Sequence, residues 1–392
     1  MAEENTQEKN IHNNNNKNKK ILFCASAVSH ILHFHNVYFE YLKKMGFEIH
    51  VAAGINSGGN CDIDLLNAEK TFTLAFEKGK KFFKNIYTVF ALRKIIRREK
   101  YDIVSTHSML AGFTGRLAVM LSRRKNIKII HTCHGYLFND DKSFRSKLMI
   151  ILEKFLALRT DILFVMNSDD YNIAKKHKLC KSIEYTNGMG INPEKLNASG
   201  CFDFEKYNIP KDKKYFLCVG EFSKRKNQQN IICAFNRFLR GLSDDLRNSY
   251  HLIFLGGGAL LDECKRLCEN LEIARNTTFC GYVGDTAAFY KLPANCVVSA
   301  SRFEGMPFNI LEAFHFGVPV IASNVKGHKD LVVDKVNGHL YEYNDETRLA
   351  ELFGKVSEIS NISEIKNIRL DEKYYFDSVK EKILNCYGKI LP

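Results

Sequence analysis

The stretch Cys296-Val297-Val298-Ser299-Ala300-Ser301-Arg302-Phe303-Glu304-Gly305-Met306-Pro307-Phe308-Asn309-Ile310-Leu311-Glu312-Ala313 carries the reading of the chain. Its first five residues are a short β-type run. Pro307 suits the first turn of a helix, and Ile310, Leu311 and Phe314 give that helix apolar spacing at i, i+1 and i+4. A second apolar run, Pro319 to Ala322, follows. Strand, turn, helix and strand in this order make a parallel unit with a crossover helix. The turn also carries chemistry, because Glu304 falls on the loop and Glu312 inside the helix. The N–H groups of Met306, Phe308 and Asn309 lack partners in a first helical turn and would point outward from the strand's carboxyl end, a place that favours phosphate. A carboxylate beside such a place binds sugar hydroxyls, not phosphates.

The same rhythm runs through the rest of the sequence. In the first half, strands are predicted at Lys20–Ala25, Phe47–Gly54, Asp102–Thr106, Lys128–Thr132 and Ile162–Met166, and helices at Asn36–Met45, Asn85–Lys100, Ala111–Leu121 and Ser146–Leu158. After Tyr185 to Ile191 the pattern loosens up to Asp212. A second series then begins, with strands at Tyr215–Val219, His251–Leu255, Thr277–Cys280, Cys296–Ser299 and Pro319–Ala322, and helices at Gln228–Leu239, Leu260–Leu271, Thr286–Tyr290 and Asn309–Phe316. The expected organisation is a disordered tail over 1–19, one Rossmann-like domain over 20–190, a second over 205–372, and a C-terminal helix within 373–392. The fold class is α/β with two parallel sheets.

Composition narrows the function classes. The chain has 392 residues, 45% hydrophobic and 26% charged, with no apolar run approaching the ~18 residues of a membrane span. The Asn- and Lys-rich N-terminus lacks the apolar core of a signal peptide. Twelve cysteines include no Cys-x2-Cys pair, which argues against a zinc site and for free thiols in a reducing compartment. The triplet Asp62-Ile63-Asp64 imitates an acidic metal motif, but it lies in a Gly- and Asn-rich loop context. The formal net charge of +13 is concentrated in residues 1–190, so an anionic partner is expected there, either an anionic membrane surface or a nucleic acid. Lys80 to Arg98 interleaves apolar and basic residues at helical spacing. This segment can pack one face on the sheet and offer a basic face to solvent or to anionic lipid.

Glu304 and Glu312 with the intervening Gly-Met-Pro-Phe turn resemble the Glu-x7-Glu signature of the retaining glycosyltransferases of family 4, which have the GT-B fold. Val219-Gly220-Glu221-Phe222-Ser223-Lys224-Arg225-Lys226-Asn227 resembles the phosphate-binding loop of that family, and Phe279-Cys280-Gly281-Tyr282-Val283 its nucleobase loop. His131-Thr132-Cys133-His134-Gly135-Tyr136 and Ile21 to Gly54 are similar to the first half of a subgroup that builds bacterial capsular and exopolysaccharides. The resemblance covers roughly residues 20 to 390.

The resemblance implies a cytoplasmic enzyme, peripheral on the inner face of the membrane. It would move a hexose from a nucleoside-diphosphate sugar, UDP-linked, to a lipid-pyrophosphate-linked or saccharide acceptor. Anomeric configuration would be retained and no cofactor or metal ion required. His134 and Glu304 would be catalytic. Gly220, Arg225, Lys226, Tyr282, Val283, Glu304, Gly305, Met306, Pro307, Phe308, Asn309 and Glu312 would bind the donor, Lys226 at its phosphates, Glu312 at its ribose and Glu304 at its sugar. The family commonly has an arginine directly after the loop glycine, where this chain has Glu221. Either Arg225 or Lys224 takes over that contact, or the helix N-terminus does more.

Three other readings are weaker. A nucleic-acid-binding protein would use the basic first half, yet Glu304 and Glu312 would be unexplained and no nucleic-acid partner is expected. A GT-B nucleotide-sugar epimerase would lack this pairing of glutamates. A nicotinamide oxidoreductase would want an acidic residue ending the strand after Gly256-Gly257-Gly258, and Thr277-Thr278-Phe279-Cys280 offers none.

Overall fold

A computed structural model describes residues 19–55, 63–77, 79–200, 202–292, 295–358 and 368–390. The expected tail, apart from Lys19, and Asp62 of the acidic triplet lie outside the described residues. The first half runs β1 (Lys19–Ala25), α1 (Val28–Phe34), α2 (Asn36–Lys44), β2 (Phe47–Ala53), β3 (Lys70–Thr73), α3 (Asn85–Glu99), β4 (Ile103–His107), α4 (Ser108–Ser122), β5 (Lys128–Cys133), α5 (Phe144–Ala157), β6 (Ile162–Val165), α6 (Ser168–His177), β7 (Ser182–Tyr185) and α7 (Pro193–Asn197). The second runs β8 (Lys214–Val219), α8 (Gln228–Arg240), α9 (Asp244–Arg247), β9 (Tyr250–Leu255), α10 (Leu261–Asn270), β10 (Thr277–Phe279), α11 (Ala287–Tyr290), β11 (Asn295–Ser299), α12 (Phe308–His315), β12 (Val320–Ser323), β13 (Gly338–Tyr341), α13 (Glu346–Glu358) and α14 (Phe376–Lys389).

These strands form two sheets, ordered β3-β2-β1-β4-β5-β6-β7 and β10-β9-β8-β11-β12-β13. In the first, β1 lies parallel between β2 and β4; in the second, β8 lies parallel between β9 and β11. Chain order therefore reverses at β1 and at β8, the points where the loops after neighbouring strands part and leave a crevice. The loops after β8 and β11 are the Gly220 and Glu304 loops.

The chain packs as two compact units, one ending at His131 and taking in Arg159–Asp161, the other made of Thr132–Leu158 and Ile162–Lys389. In the first, Ile21 to Ala25 are five consecutive buried residues, the pattern of a parallel strand covered on both faces. In the second, one core cluster is rich in aromatic rings: Phe216 meets Phe353 at 4.5 Å and 70°, and Phe238 meets Tyr250 at 4.9 Å and 76°. Such edge-to-face pairs contribute beyond their buried area.

Several elements escape the apolar patterns. Helix α1 (Val28–Phe34) falls where no element was expected. Strands β3, β7 and β13 and helices α6 and α13 were not expected. Helix α6 is polar overall and is fixed by its ends: Asn167 caps it, Asp169 and Asp170 sit in its first turn, and Lys175, Lys176 and His177 in its last. Those charges oppose the helix dipole. Pro307 is the residue before α12, with φ −78° and ψ 108°, and the helix begins at Phe308.

One buried network in the second unit braces the Glu304 loop. Asn167 Nδ2 donates to Asp170 Oδ2 at 2.9 Å and to the carbonyl oxygens of Gly305 at 3.1 Å and Glu304 at 3.4 Å. Lys326 Nζ donates to Asp170 Oδ1 at 3.0 Å and to Phe138 O at 2.8 Å, and Tyr136 N to Asp170 Oδ2 at 2.9 Å. Burial pushes the Asp170 carboxyl upward against the pull of Lys326. Deleting one partner of such a pair strands the other charge, at a cost of about 3–5 kcal/mol. Lys326→Met should therefore lower unfolding free energy by about that much at pH 8. With its folded-state pKa raised further, Asp170 binds its proton more readily in the folded chain, so the deficit should shrink as pH falls toward 5. Denaturant titrations at the two pH values check this, and a deficit independent of pH would contradict it.

Candidate active site

The first part of the site is the turn after β8. Gly220 has φ 155°, and a Cβ there would lie 3.1 Å from Lys226 Cε. Gly220 N donates to Leu255 O at 2.9 Å and Phe222 N to Gly257 O at 2.8 Å, which ties this turn to the one after β9. The glycine run permits that approach: a Cβ on Gly256 would lie 2.2 Å from Gly220 O, and one on Gly258 2.5 Å from Phe222 O. Gln228 Nε2 donates to Glu221 O at 2.9 Å and closes the loop from its far end.

Loop closure delivers two cations to one carboxylate. Arg225 Nη1 donates to Glu304 Oε2 at 2.6 Å, while Lys226 Nζ at 2.8 Å and Ser301 Oγ at 2.7 Å meet Oε1. The backbone agrees, since Arg302 N donates to Arg225 O at 2.8 Å and Glu304 N to Lys326 O at 3.1 Å. Glu304 is only 7% exposed. Burial works to raise its carboxyl pKa, but Lys226 and Arg225 override it and hold the group down to about 2. Arg225 therefore reaches the Glu304 carboxylate, whereas Lys224 is exposed.

Gly305 brings the next segment close. A Cβ on Gly305 would lie 2.3 Å from His134 O, and one on Gly135, at φ 110°, 3.0 Å from Gly305 N. The His134–Gly135 turn thus rests backbone to backbone on the Glu304 loop, which places half-buried His134 beside it. His131 is different: it is fully buried, with Nδ1 3.0 Å from Thr106 Oγ1, as befits a core residue.

Glu312 has opposite surroundings. Its Oε2 accepts from Tyr290 Oη at 2.8 Å and Thr286 Oγ1 at 3.4 Å, and no cation is among these partners. Burial pushes its carboxyl up to about 7, with the two hydroxyls pulling the other way. Tyr290 is itself buried, its ring stacked on Phe316 at 5.9 Å and 9°.

Met306, Pro307 and Asn309 are buried and Phe308 is half-buried at the start of α12. Tyr282 is 76% exposed and Val283 half-buried, next to Gly281, whose carbonyl accepts from Gly256 N at 2.7 Å. The structure thus gathers Gly220, Arg225, Lys226, Glu304, Gly305 and His134, and sets Glu312 apart in its own hydroxyl-lined recess. Sequence reasoning missed Ser301, Tyr290, Asn167, Asp170 and Lys326. Ser301 could have been found three residues before Glu304; the others carry no motif.

Comparison with known proteins agrees with this architecture. A family model described as Glycosyltransferase Family 4 matches residues 38–180, and one described as Glycosyl transferases group 1 matches 202–368. The EpsD protein of Bacillus subtilis (strain 168), whose name assigns it to the glycosyltransferases, is 30% identical over 85% of this chain and 86% of its own. A UDP-Gal:alpha-D-GlcNAc-diphosphoundecaprenol alpha-1,3-galactosyltransferase of Escherichia coli is 27% identical over 78% and 79%. The capsular polysaccharide biosynthesis glycosyltransferase CapM of Staphylococcus aureus is 24% identical over 96% and 98%. Among solved structures, Anabaena HepE in complex with UDP and glucose superposes with a TM-score of 0.71 at 14% identity, covering 95% of this chain and all of the other, a likeness of fold. The chain therefore belongs to family 4 of the glycosyltransferases, with the GT-B fold, and to the kind that works in capsular and extracellular polysaccharide biosynthesis.

Proposed function

We propose that the chain moves a hexose from a UDP-linked donor to a lipid-pyrophosphate-linked saccharide, with retention of anomeric configuration and without a metal ion. The observation that carries this reading is the sharing of the Glu304 carboxylate by Arg225 and Lys226. Two cations held at the start of a helix suit a diphosphate, and the carboxylate between them suits a sugar hydroxyl. In this reading the leaving diphosphate takes over part of the hold on Arg225 and Lys226, aided by the N–H groups opening α12. Glu304, released in part, accepts from the transferred sugar. Glu312 accepts from the ribose hydroxyls, Tyr282 and Val283 flank the base, and Gly220 leaves room for the phosphates. His134 faces the sugar, where it steadies developing positive charge. With the diphosphate met by side chains and backbone, charge neutralisation needs no metal. The choice of UDP and of a lipid-linked acceptor is supported by the names of the E. coli relative and of the HepE complex. The enzyme is proposed to work on the cytoplasmic side, touching anionic lipid through its basic first half. No nucleic-acid partner is proposed, since such a partner leaves both glutamates without a role.

A thermal-shift panel with UDP, GDP and ADP tests the donor. A ligand at 100 times its dissociation constant adds about 2.7 kcal/mol of stability. UDP alone should produce the shift, and Glu312→Ala should weaken UDP binding by about ten- to a hundredfold, the worth of a charge-assisted hydrogen bond. Glu304→Ala and His134→Ala should lower turnover with UDP affinity largely kept. Equal loss of affinity in all three would overturn the division of roles, and an inverted anomer in the NMR spectrum of the product would overturn retention.

The two glutamates also predict a pH dependence. Glu312 titrates near 7 in the folded chain against an ordinary value of 4.5. Between those values the folded state holds a proton that the unfolded state lacks, so this residue makes stability fall as pH rises, and Glu312→Gln should flatten that slope. UDP affinity should run the other way, rising from pH 6 to 8 as the carboxylate forms. Tyr290→Phe removes a donor that favours the charged form, so the midpoint should move up and KM for the donor should rise several-fold with kcat nearly kept. Calorimetric titrations of wild type, Tyr290→Phe and Glu312→Gln across that range check this, the last correcting for titration of UDP itself. An unmoved midpoint in Tyr290→Phe would refute the positioning role of the tyrosine.

A further inference from the structure

The loop after β12 carries a histidine that the proposed chemistry does not use. His328 is fully buried, and both of its ring nitrogens are engaged. Its Nδ1 lies 2.9 Å from Ser323 O, a carbonyl that can only accept, so Nδ1 carries the ring proton. Burial pushes the ring pKa down to about 4 against the pull of Glu304, which leaves Nε2 bare near neutral pH. Nε2 therefore accepts from Ser299 Oγ at 3.1 Å. Ser323 Oγ lies 3.2 Å from Nδ1 and gives its own hydrogen to Ser301 O at 2.6 Å. Ser301 Oγ in turn donates to Glu304 Oε1 at 2.7 Å. Each hydrogen in this series has one direction, and the series ends on the carboxylate that Arg225 and Lys226 share. Ser299, Ser301 and Ser323 are themselves buried, where a polar group left unmet is costly.

A second path runs through the backbone. The His328 ring bridges the ends of two neighbouring strands, Ser299 on β11 and Ser323 on β12, from the position directly after Gly327. Lys326 O accepts from Glu304 N at 3.1 Å, and a Cβ on Gly327, at φ 82°, would lie 2.8 Å from Glu304 O. The segment that cradles the Glu304 backbone is thus anchored by the histidine that follows it.

We infer that His328 is a positioning residue for Glu304: held between Ser299 and Ser323, it fixes Ser301 and the Lys326–Gly327 backbone, and through them the orientation of the Glu304 carboxylate. Being fully buried, it acts on the substrate only through that carboxylate. His251 offers a contrast within the same sheet. It is buried too, but its Nε2 meets Thr278 Oγ1 at 2.8 Å, a pairing between the outer strands β9 and β10. The inference rests on the role proposed for Glu304 above.

A double-mutant cycle on the full chain tests it. His328→Leu fills the space without either nitrogen. It should lower kcat about ten- to a hundredfold with the donor KM and the UDP thermal shift largely kept, the pattern expected of Glu304→Ala. In the Glu304→Ala background the same substitution should lower kcat by less than about threefold, because the group it acts through is gone. His328→Asn, whose amide donates from the Nδ1 position, should recover about threefold or more of the lost kcat. Ser323→Ala is a smaller change that serves should His328→Leu fail to fold. It should lower kcat about two- to tenfold and likewise add little to Glu304→Ala. His251→Leu should lose stability and keep kcat. Denaturant midpoints of the same cycle, taken without nucleotide, should fall by less than the sum of the single losses. Full additivity of the His328 or Ser323 substitution with Glu304→Ala in kcat would overturn the inference, as would an equal loss of kcat in His251→Leu. A wild type that neither shifts with UDP nor transfers a sugar would overturn the proposed reaction instead. The midpoints then decide alone: coupling between His328 and Glu304 upholds the positioning, and additivity overturns it.

Discussion

A carboxylate with less than a tenth of its surface in water stays charged only if cations come to it, and the geometry around Glu304 follows from that requirement. Arg225 and Lys226 reach it because the turn after β8 folds back on itself, and that turn can do so because Gly256 and Gly258 let two backbones pass where a Cβ would collide, while Gly220, at φ 155°, takes a conformation that side chains rarely adopt. Ser301 supplies a hydroxyl from the same loop. Once Glu304 is fixed, Gly305 is fixed, and with it the approach to His134 and the carbonyl groups that Asn167 grips. Buried ion pairs of this kind add little stability over a well-packed apolar alternative. Their presence at a strand-end loop therefore argues for chemistry rather than for folding.

The two glutamates that look equivalent in sequence have opposite electrostatic fates. Glu304 is buried among cations and is held charged down to about 2, while Glu312 is half-buried against hydroxyls, its carboxyl pushed up to about 7. Desolvation acts on both; what differs is the charge facing them. On the proposed reading this suits their tasks. A group that shares its cations with a departing diphosphate must carry charge throughout, whereas one that only accepts from ribose hydroxyls can be tuned by neutral neighbours such as Tyr290.

Most of the fold was legible because parallel strands covered on both faces write themselves as unbroken apolar runs. The elements that escaped are those whose cause is not apolar periodicity. Helix α6 is specified by a cap and by charges placed against its dipole, and β3, with only four residues and none buried, carries no such run. The site was legible in its motif residues, where glycine, proline and glutamate have fixed spacing. Lys326 and Asp170 could not be read, since they are 156 residues apart and pair only through the packing of the chain. Tyr290 was hidden for a similar reason. Its role depends on the register of α11 against α12, which no local pattern announces.

The pairing of Glu304 with Arg225 and Lys226 also bears on how the two loops are held. Two cations brought together with no anion between them would repel each other, and the loops bearing them would part. With the carboxylate between them, the loops after β8 and β11 are held together, at the cost of occupying the cations. On the proposed reading, a diphosphate entering such a site would exchange one anion for another instead of assembling the site from scattered parts, so most of the ordering of Arg225 and Lys226 would be complete before it arrives. The cost falls instead on Glu304, which stays buried and ionised and so requires a new donor as its cations turn toward the phosphates. A sugar hydroxyl is such a donor. On that reading the arrangement would couple occupancy of the phosphate positions to occupancy of the sugar position, because a nucleotide without its sugar would leave that carboxylate short of a partner.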